Sequence, residues 1–170
     1  NNTFLLEKKY NWRGILVDMD PIFEGLYESV RTNSKYFIQD ATTIRFGEEM
    51  KHLHFPSIVD YLQIDLDAGN GSTIQTLENL HAEAMNDFTF AVVTFEHDYY
   101  SGDHYNTRQR SRDIFASRGY FRVYSDVKNG GQAYEDWYVH PSLVDMSYIQ
   151  TIKRDESLEW KQILDILRNN

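Results

Sequence analysis

Two stretches stand out as strongly apolar: residues 58–64 (IVDYLQI) and 88–95 (FTFAVVTF). Both have strand length and are rich in β-branched and aromatic residues, the composition of buried strands. Each runs into acid, the first into Asp65 and Asp67, the second into Glu96, His97 and Asp98. After the first, the chain turns on Gly69 and Gly71, and Ser72 is followed three residues on by Gln75. That spacing predicts a capping box opening a helix. Ile74, Leu77, Leu80 and Ala84 would then share its buried face.

Shorter strands are predicted at 15–17 and 36–39, ending in Asp18 and Asp40. Asp20 suits an N-cap and Pro21 the first position of a helix running to about residue 31, with Ile22, Phe23, Leu26, Tyr27 and Val30 on one face. Further helices are expected at 4–10 and 107–118, the latter stopped by Gly119, with a helical turn at 48–52. Strands at 120–124 and 136–139 flank a glycine-rich turn at 128–132. The tail, 146–170, reads as helical, with Trp160, Ile163, Leu164 and Leu167 on one face.

Strands alternating with helices predict an α/β fold with a mainly parallel sheet, as one domain over residues 1–170. Acid at successive strand ends makes one rim of that sheet negative, and the carboxyl ends of strands are where such sheets hold ligands. Asp20 there serves as a cap; Asp18 reads equally as a cap or as a ligand acid.

Composition narrows the chemistry. With no cysteine, disulfides, thiolate metal sites and a cysteine nucleophile are excluded. A net charge of −9 argues against non-specific nucleic-acid binding, which needs Lys and Arg at phosphates. No apolar run approaches a membrane span, and the start, Asn1-Asn2-Thr3, has neither the basic nor the apolar part of a signal peptide. A cytoplasmic protein with a small-molecule ligand is expected, with neither nucleic acid nor membrane as partner.

The ordered set Asn2-Thr3-Phe4-Leu5-Leu6-Glu7, Gly14-Ile15-Leu16-Val17-Asp18, Asp40-Ala41-Thr42, Asp60-Tyr61-Leu62-Gln63-Ile64-Asp65-Leu66-Asp67 and Phe95-Glu96-His97-Asp98 resembles the FkbM-type methyltransferases that use S-adenosylmethionine. Arg118-Gly119-Tyr120 and Glu135-Asp136-Trp137-Tyr138-Val139 extend the resemblance over residues 2–145. It implies a three-layer Rossmann-like sheet and O-methylation of a hydroxyl on a small molecule, sugar or polyol. It also implies that Asp18 holds the cofactor's ribose, where the family usually has Glu, and that Asp40 and Ala41 lie against the adenine. Asp65 belongs to the family's fourth-strand motif, Asp-x-Glu-Gly. Here the motif reads Asp65-Leu66-Asp67-Ala68, with its glycine delayed to Gly69. His97 is the candidate base, with Asp65 beside it. Asp67, Glu96, Asp98, Tyr99 and Trp137 are the candidate substrate residues, and Tyr100, His104 and Tyr105 could complete a lid.

The family's first strand and its glycine turn are missing ahead of Asn2. The chain is therefore expected to be the C-terminal part of a longer product, with weak cofactor binding and a sheet gap that favours self-association. A second parse makes Asp65 to Gly71 the cofactor loop and Glu96 the ribose acid. Three further readings stay open. Asp65, Asp67, Glu96, His97 and Asp98 offer hard ligands for a divalent metal, although no metal site is assigned, and His52 and His54 read as solvated. Arg108, Arg110, Arg112 and Arg118 could meet an anion or balance acidic surface. Finally, the domain could be a non-catalytic Rossmann-like remnant that binds a small molecule or a protein.

Overall fold

The computed structural model describes residues 3–170, so Asn2 of the first matching segment lies outside the described residues. The chain divides into two compact units, Asn1–Ile44 and Arg45–Asn170.

In the first unit, α1 (Phe4–Tyr10) precedes β1 (Ile15–Asp18), and α2 (Glu24–Val30) precedes β2 (Lys35–Ile38). β1 and β2 pair in parallel as a two-stranded sheet. Asp20 caps as predicted, its carboxylate accepting from the Ile22 N–H, although the first turn, Pro21–Phe23, is a 3-10 helix. Of the predicted apolar face only Tyr27 is buried; Ile22 is 74% and Leu26 51% exposed. Beside buried Leu16, Ala41 and Ile44, the interior of this unit holds a buried ion pair. Arg31 Nε donates to Glu7 at 2.7 Å, and Ser34 and the Asn33 N–H donate to the same carboxylate.

The second unit opens with α3 (Phe46–His52), longer than the single turn expected at 48–52. Then come β3 (Ile58–Ile64), α4 (Ser72–Glu83), β4 (Thr89–Glu96) and α5 (Thr107–Ser117). A hairpin of β5 (Phe121–Asn129) and β6 (Gln132–Val139) follows, and α6 (Met146–Ile152) and α7 (Trp160–Asn169) close the chain. The strands form one sheet in the order β3-β4-β6-β5. β3 and β4 are parallel, but both pairings of β6 are antiparallel. The mainly parallel sheet expected from sequence is thus a mixed one. A tight Gly130-Gly131 turn returns the chain antiparallel, whereas a parallel partner needs a crossover. Among the described residues, β1 and β3 each pair on one side only.

Side chains alternate across the sheet. Val93, Phe95, Asp136 and Tyr138 share one face, as their pairings require, and α5 covers it: Phe115 packs on Phe95 and Tyr138. Trp137 and Val139 share the other face, where Val123, Val127, Ile149, Ile152 and Ile163 form a cluster with α6 and α7. In α4 the predicted stripe Ile74, Leu77, Leu80 is buried, with Ala84 just beyond the helix. Its entry differs from expectation. Gly71 at φ 83° is the N-cap, and Asn70 accepts the Ser72 N–H while the Ser72 hydroxyl donates to the Asp67 carbonyl. The capping box of this chain is at α7, between Glu159 and Gln162.

Candidate functional site

The parallel pair β3–β4 delivers Asp65 and Glu96 to adjacent strand ends. Burial is the main cause that raises the Glu96 carboxyl, and hydrogen bonds and charge from Asp65 and Asp98 push it up to about 10. Three carboxyls this close hold a proton, because ionising all of them in a half-buried site is unfavourable. Glu96 keeps that proton at neutral pH and can donate it to its neighbours. The buried Oδ1 of Asp98, which has no other partner, is one such acceptor position.

Glu96 and Asp98 line a cavity of about 200 Å³ together with Tyr100, Asn129, Gln132 and Tyr134. Asn129 and Gln132 come from the hairpin ends, and the tip between them is tied down by Glu159, which accepts from the Gly130 and Gly131 N–H groups at 2.9 and 2.7 Å. The Tyr134 phenol is raised by burial and then by Glu135, Glu96 and Asp65. The Tyr100 phenol is raised first by Asp98. Both are therefore neutral donors around an acidic centre. Glu135, paired across from Glu96, is also raised by burial.

His97, expected as the base, does not line this cavity. It follows Glu96 by one residue, so it points to the opposite face of the sheet, toward α5. There it is 1% exposed. Its Nδ1 accepts the Tyr99 N–H at 3.2 Å, so the ring's hydrogen is on Nε2. Nε2 lies 3.5 Å from Asp136 and 3.6 Å from Asp126 and makes no hydrogen bond to either. Asp136 is the centre of that cluster. It accepts from Arg112 Nε and NH2, from the Tyr138 hydroxyl and from the Asp126 N–H. Burial alone would raise its carboxyl; His97 and Arg112 outweigh this and hold it well below the usual carboxylate range.

Each of the other expected site residues has local contacts of its own. Asp18 accepts from the Asp20 N–H and lies 3.4 Å from the Tyr27 hydroxyl. Asp40 caps the turn at Ala41 by accepting from the Thr42 N–H and hydroxyl, and Ala41 is buried. Asp67 caps the turn Ala68–Asn70 through the Gly69 N–H. Tyr99 lies under the Arg108 guanidinium, 3.5 Å from its ring centre. Trp137 donates its indole N–H to Glu135. Of the lid residues, Tyr100 reaches the cavity, while the Tyr105 ring packs over Gly71. Asn129, Gln132 and Tyr134 were not anticipated. Their only signal was the Gly130-Gly131 turn, which says that a hairpin forms but not what its ends face.

The hard ligands that the sequence offers, Asp65, Asp67, Glu96, His97 and Asp98, are not the set whose ligand atoms converge. Among the described residues, His97, Asp126 and Asp136 bring ligand atoms within 4.8 Å of one another. Arg112 already supplies a cation to both carboxylates, and the Nε2 hydrogen of His97 points where a metal would have to bind. That donor set does not suit a metal. The arginine run is likewise spent internally: Arg108 and Arg112 on Asp126, Arg110 on Glu78, Arg118 on the carbonyls of His81 and Met85.

No family model matches the chain, and no curated protein matches it at a significant level. A solved structure described as a "putative rRNA-methylase from Clostridium thermocellum" is similar in fold. It is 14% identical, with a TM-score of 0.49, over 81% of this chain and 80% of that one. No helix among the described residues is long and apolar enough to cross a membrane.

Proposed function

We propose that this chain is an S-adenosylmethionine-dependent O-methyltransferase acting on a hydroxyl of a small molecule or sugar. The observation that supports this reading most is the meeting of Asp65, Glu96 and Asp98 beyond the carboxyl ends of the parallel pair β3–β4, beside a cavity. That is where α/β sheets take ligands. The resemblance of the ordered segments to FkbM-type enzymes supplies the chemistry.

A volume of about 200 Å³ is below the roughly 300–1,000 Å³ of pockets that enclose a whole drug-sized ligand. The cavity suits the reacting end of an acceptor, about one sugar ring. Tyr100, Tyr134, Asn129 and Gln132 offer the alternating donors and acceptors that neighbouring hydroxyls require. Asp65, at the strand end beside Glu96, would accept the hydroxyl proton, and Glu96 would serve as a donor. Asp18 retains acceptor capacity for a vicinal diol, since two donors leave half of its four lone-pair positions open. The resemblance to FkbM-type enzymes assigns Asp18, Asp40, Ala41 and Asp65 to the cofactor, which when bound supplies a sulfonium methyl group.

Calorimetric titration with S-adenosylhomocysteine, with Asp18→Ala as control, tests the reading. Weak binding that is lost in the variant is expected. A folded chain that binds nothing would overturn it and leave a non-catalytic, ligand-binding role.

A further inference from the structure

We infer that His97 is a positioning residue: lying beside Asp126 and Asp136 on the α5 face, it holds the turn that carries Asp98 and Tyr100 to the cavity on the other side.

The turn is held at both ends. The Tyr134 carbonyl accepts the N–H groups of both His97 and Asp98, at 2.7 and 3.0 Å. Asp98 then takes φ 48°, a left-handed conformation that is uncommon outside glycine, Asn and Asp. Directly after it, the Tyr99 N–H is fixed by His97 Nδ1, and the Tyr99 ring is fixed by Arg108. Both of those groups lead to one acceptor: Arg108 donates to Asp126 Oδ1 at 3.1 Å, and His97 Nε2 faces the same oxygen at 3.6 Å. The Asp126 N–H in turn donates to Asp136, which Arg112 holds. A continuous set of contacts thus runs from α5 through the sheet to the turn. Within that set His97 alone joins the cluster to the turn's backbone, by a side-chain bond to the Tyr99 N–H.

The ring is suited to this task. One nitrogen accepts from a backbone N–H while the other faces two carboxylates at 3.5 and 3.6 Å, and an imidazole with its hydrogen on Nε2 suits both places. Asparagine can supply the first function, because its side-chain oxygen accepts from the N–H two residues on. It is too short for the second. Phenylalanine supplies neither at similar volume.

The consequence for acceptor binding rests on the function proposed above; the geometric part does not, and it is tested without cofactor or acceptor. Two readouts are followed in His97→Phe and His97→Asn: the Glu96 titration by carbon NMR, and exchange of the Tyr99 amide hydrogen. In the Phe variant the Glu96 midpoint should fall by about one pH unit or more, since Asp98 leaves its side. Tyr99 exchange should rise about tenfold or more. In the Asn variant Tyr99 protection should return most of the way. Unchanged Glu96 titration and Tyr99 exchange in a folded Phe variant overturn the inference, as does an Asn variant no better than Phe. If the Phe variant does not fold, nitrogen NMR of the unmodified protein decides. The His97 ring is expected to carry a hydrogen on Nε2 and none on Nδ1, and finding one on Nδ1 breaks the link to Tyr99. Failure of S-adenosylhomocysteine to bind would leave all of these outcomes untouched.

Discussion

Arg112 grips Asp136 with two nitrogens, Nε at 2.7 Å and NH2 at 2.9 Å, and so ties α5 to β6 through a carboxylate with no solvent exposure. Removing one member of a buried pair leaves the other charged and uncompensated, which costs about 3–5 kcal/mol. Arg112→Met should destabilise the second unit by that order, read by denaturant unfolding. Arg112→Lys should recover only part of it, because a lysine cannot make the two-pronged contact.

Asp136 and Glu96 give stability opposite dependences on pH. The folded-state value of Asp136 is depressed, so its contribution is present above about pH 4 and is lost as pH falls through the acid range. Glu96 is raised from 4.5 to about 10, so the folded form keeps a proton that the unfolded chain releases. Its contribution is therefore present below pH 4.5 and is lost progressively as pH rises toward 10. Glu96→Gln, which cannot ionise, should flatten the loss between about pH 5 and 9. Equal slopes for the two proteins in pH-resolved denaturation would sink this account.

Gly71 sits at φ 83°, and a Cβ there would lie 3.2 Å from the Tyr105 ring. Gly71→Ala combines a left-handed alanine, costing about 1–2 kcal/mol, with a displaced ring. The expected result is a lower unfolding midpoint, together with altered fluorescence from the turn at His104–Asn106 that carries Tyr105.

Glu159 caps α7 and also binds the tip of the β5–β6 hairpin. Glu159→Ala should cost about 1–2 kcal/mol as a lost cap. It should also speed exchange of the Gly130 and Gly131 amides, which lie between the cavity residues Asn129 and Gln132. A change confined to α7 would show that the tip holds itself.

Much of the local structure was legible. The apolar runs that became β3 and β4, the stripe Ile74, Leu77, Leu80 on α4 and the stop at Gly119 are set by short-range pattern, and all appear where expected. The face of α2 was misread because periodicity shows which residues align and not whether anything covers them. Ile22 and Leu26 align and remain exposed. The direction of β5 and β6 was missed because a strand's composition is the same whichever way it runs; only pairing with β4 decides it.

The candidate site divides along the same line. The sequence by itself determined that acids follow the two buried strands, so Asp65, Glu96 and Asp98 were found, because strand length and chain order suffice to bring them near one another. Only the tertiary structure decided that Glu96 and its neighbour His97 serve opposite faces. One residue of register separates the cavity from the cluster with Asp136, and the partners that fill each face, Tyr134 on one and Arg112 on the other, arrive from distant parts of the chain.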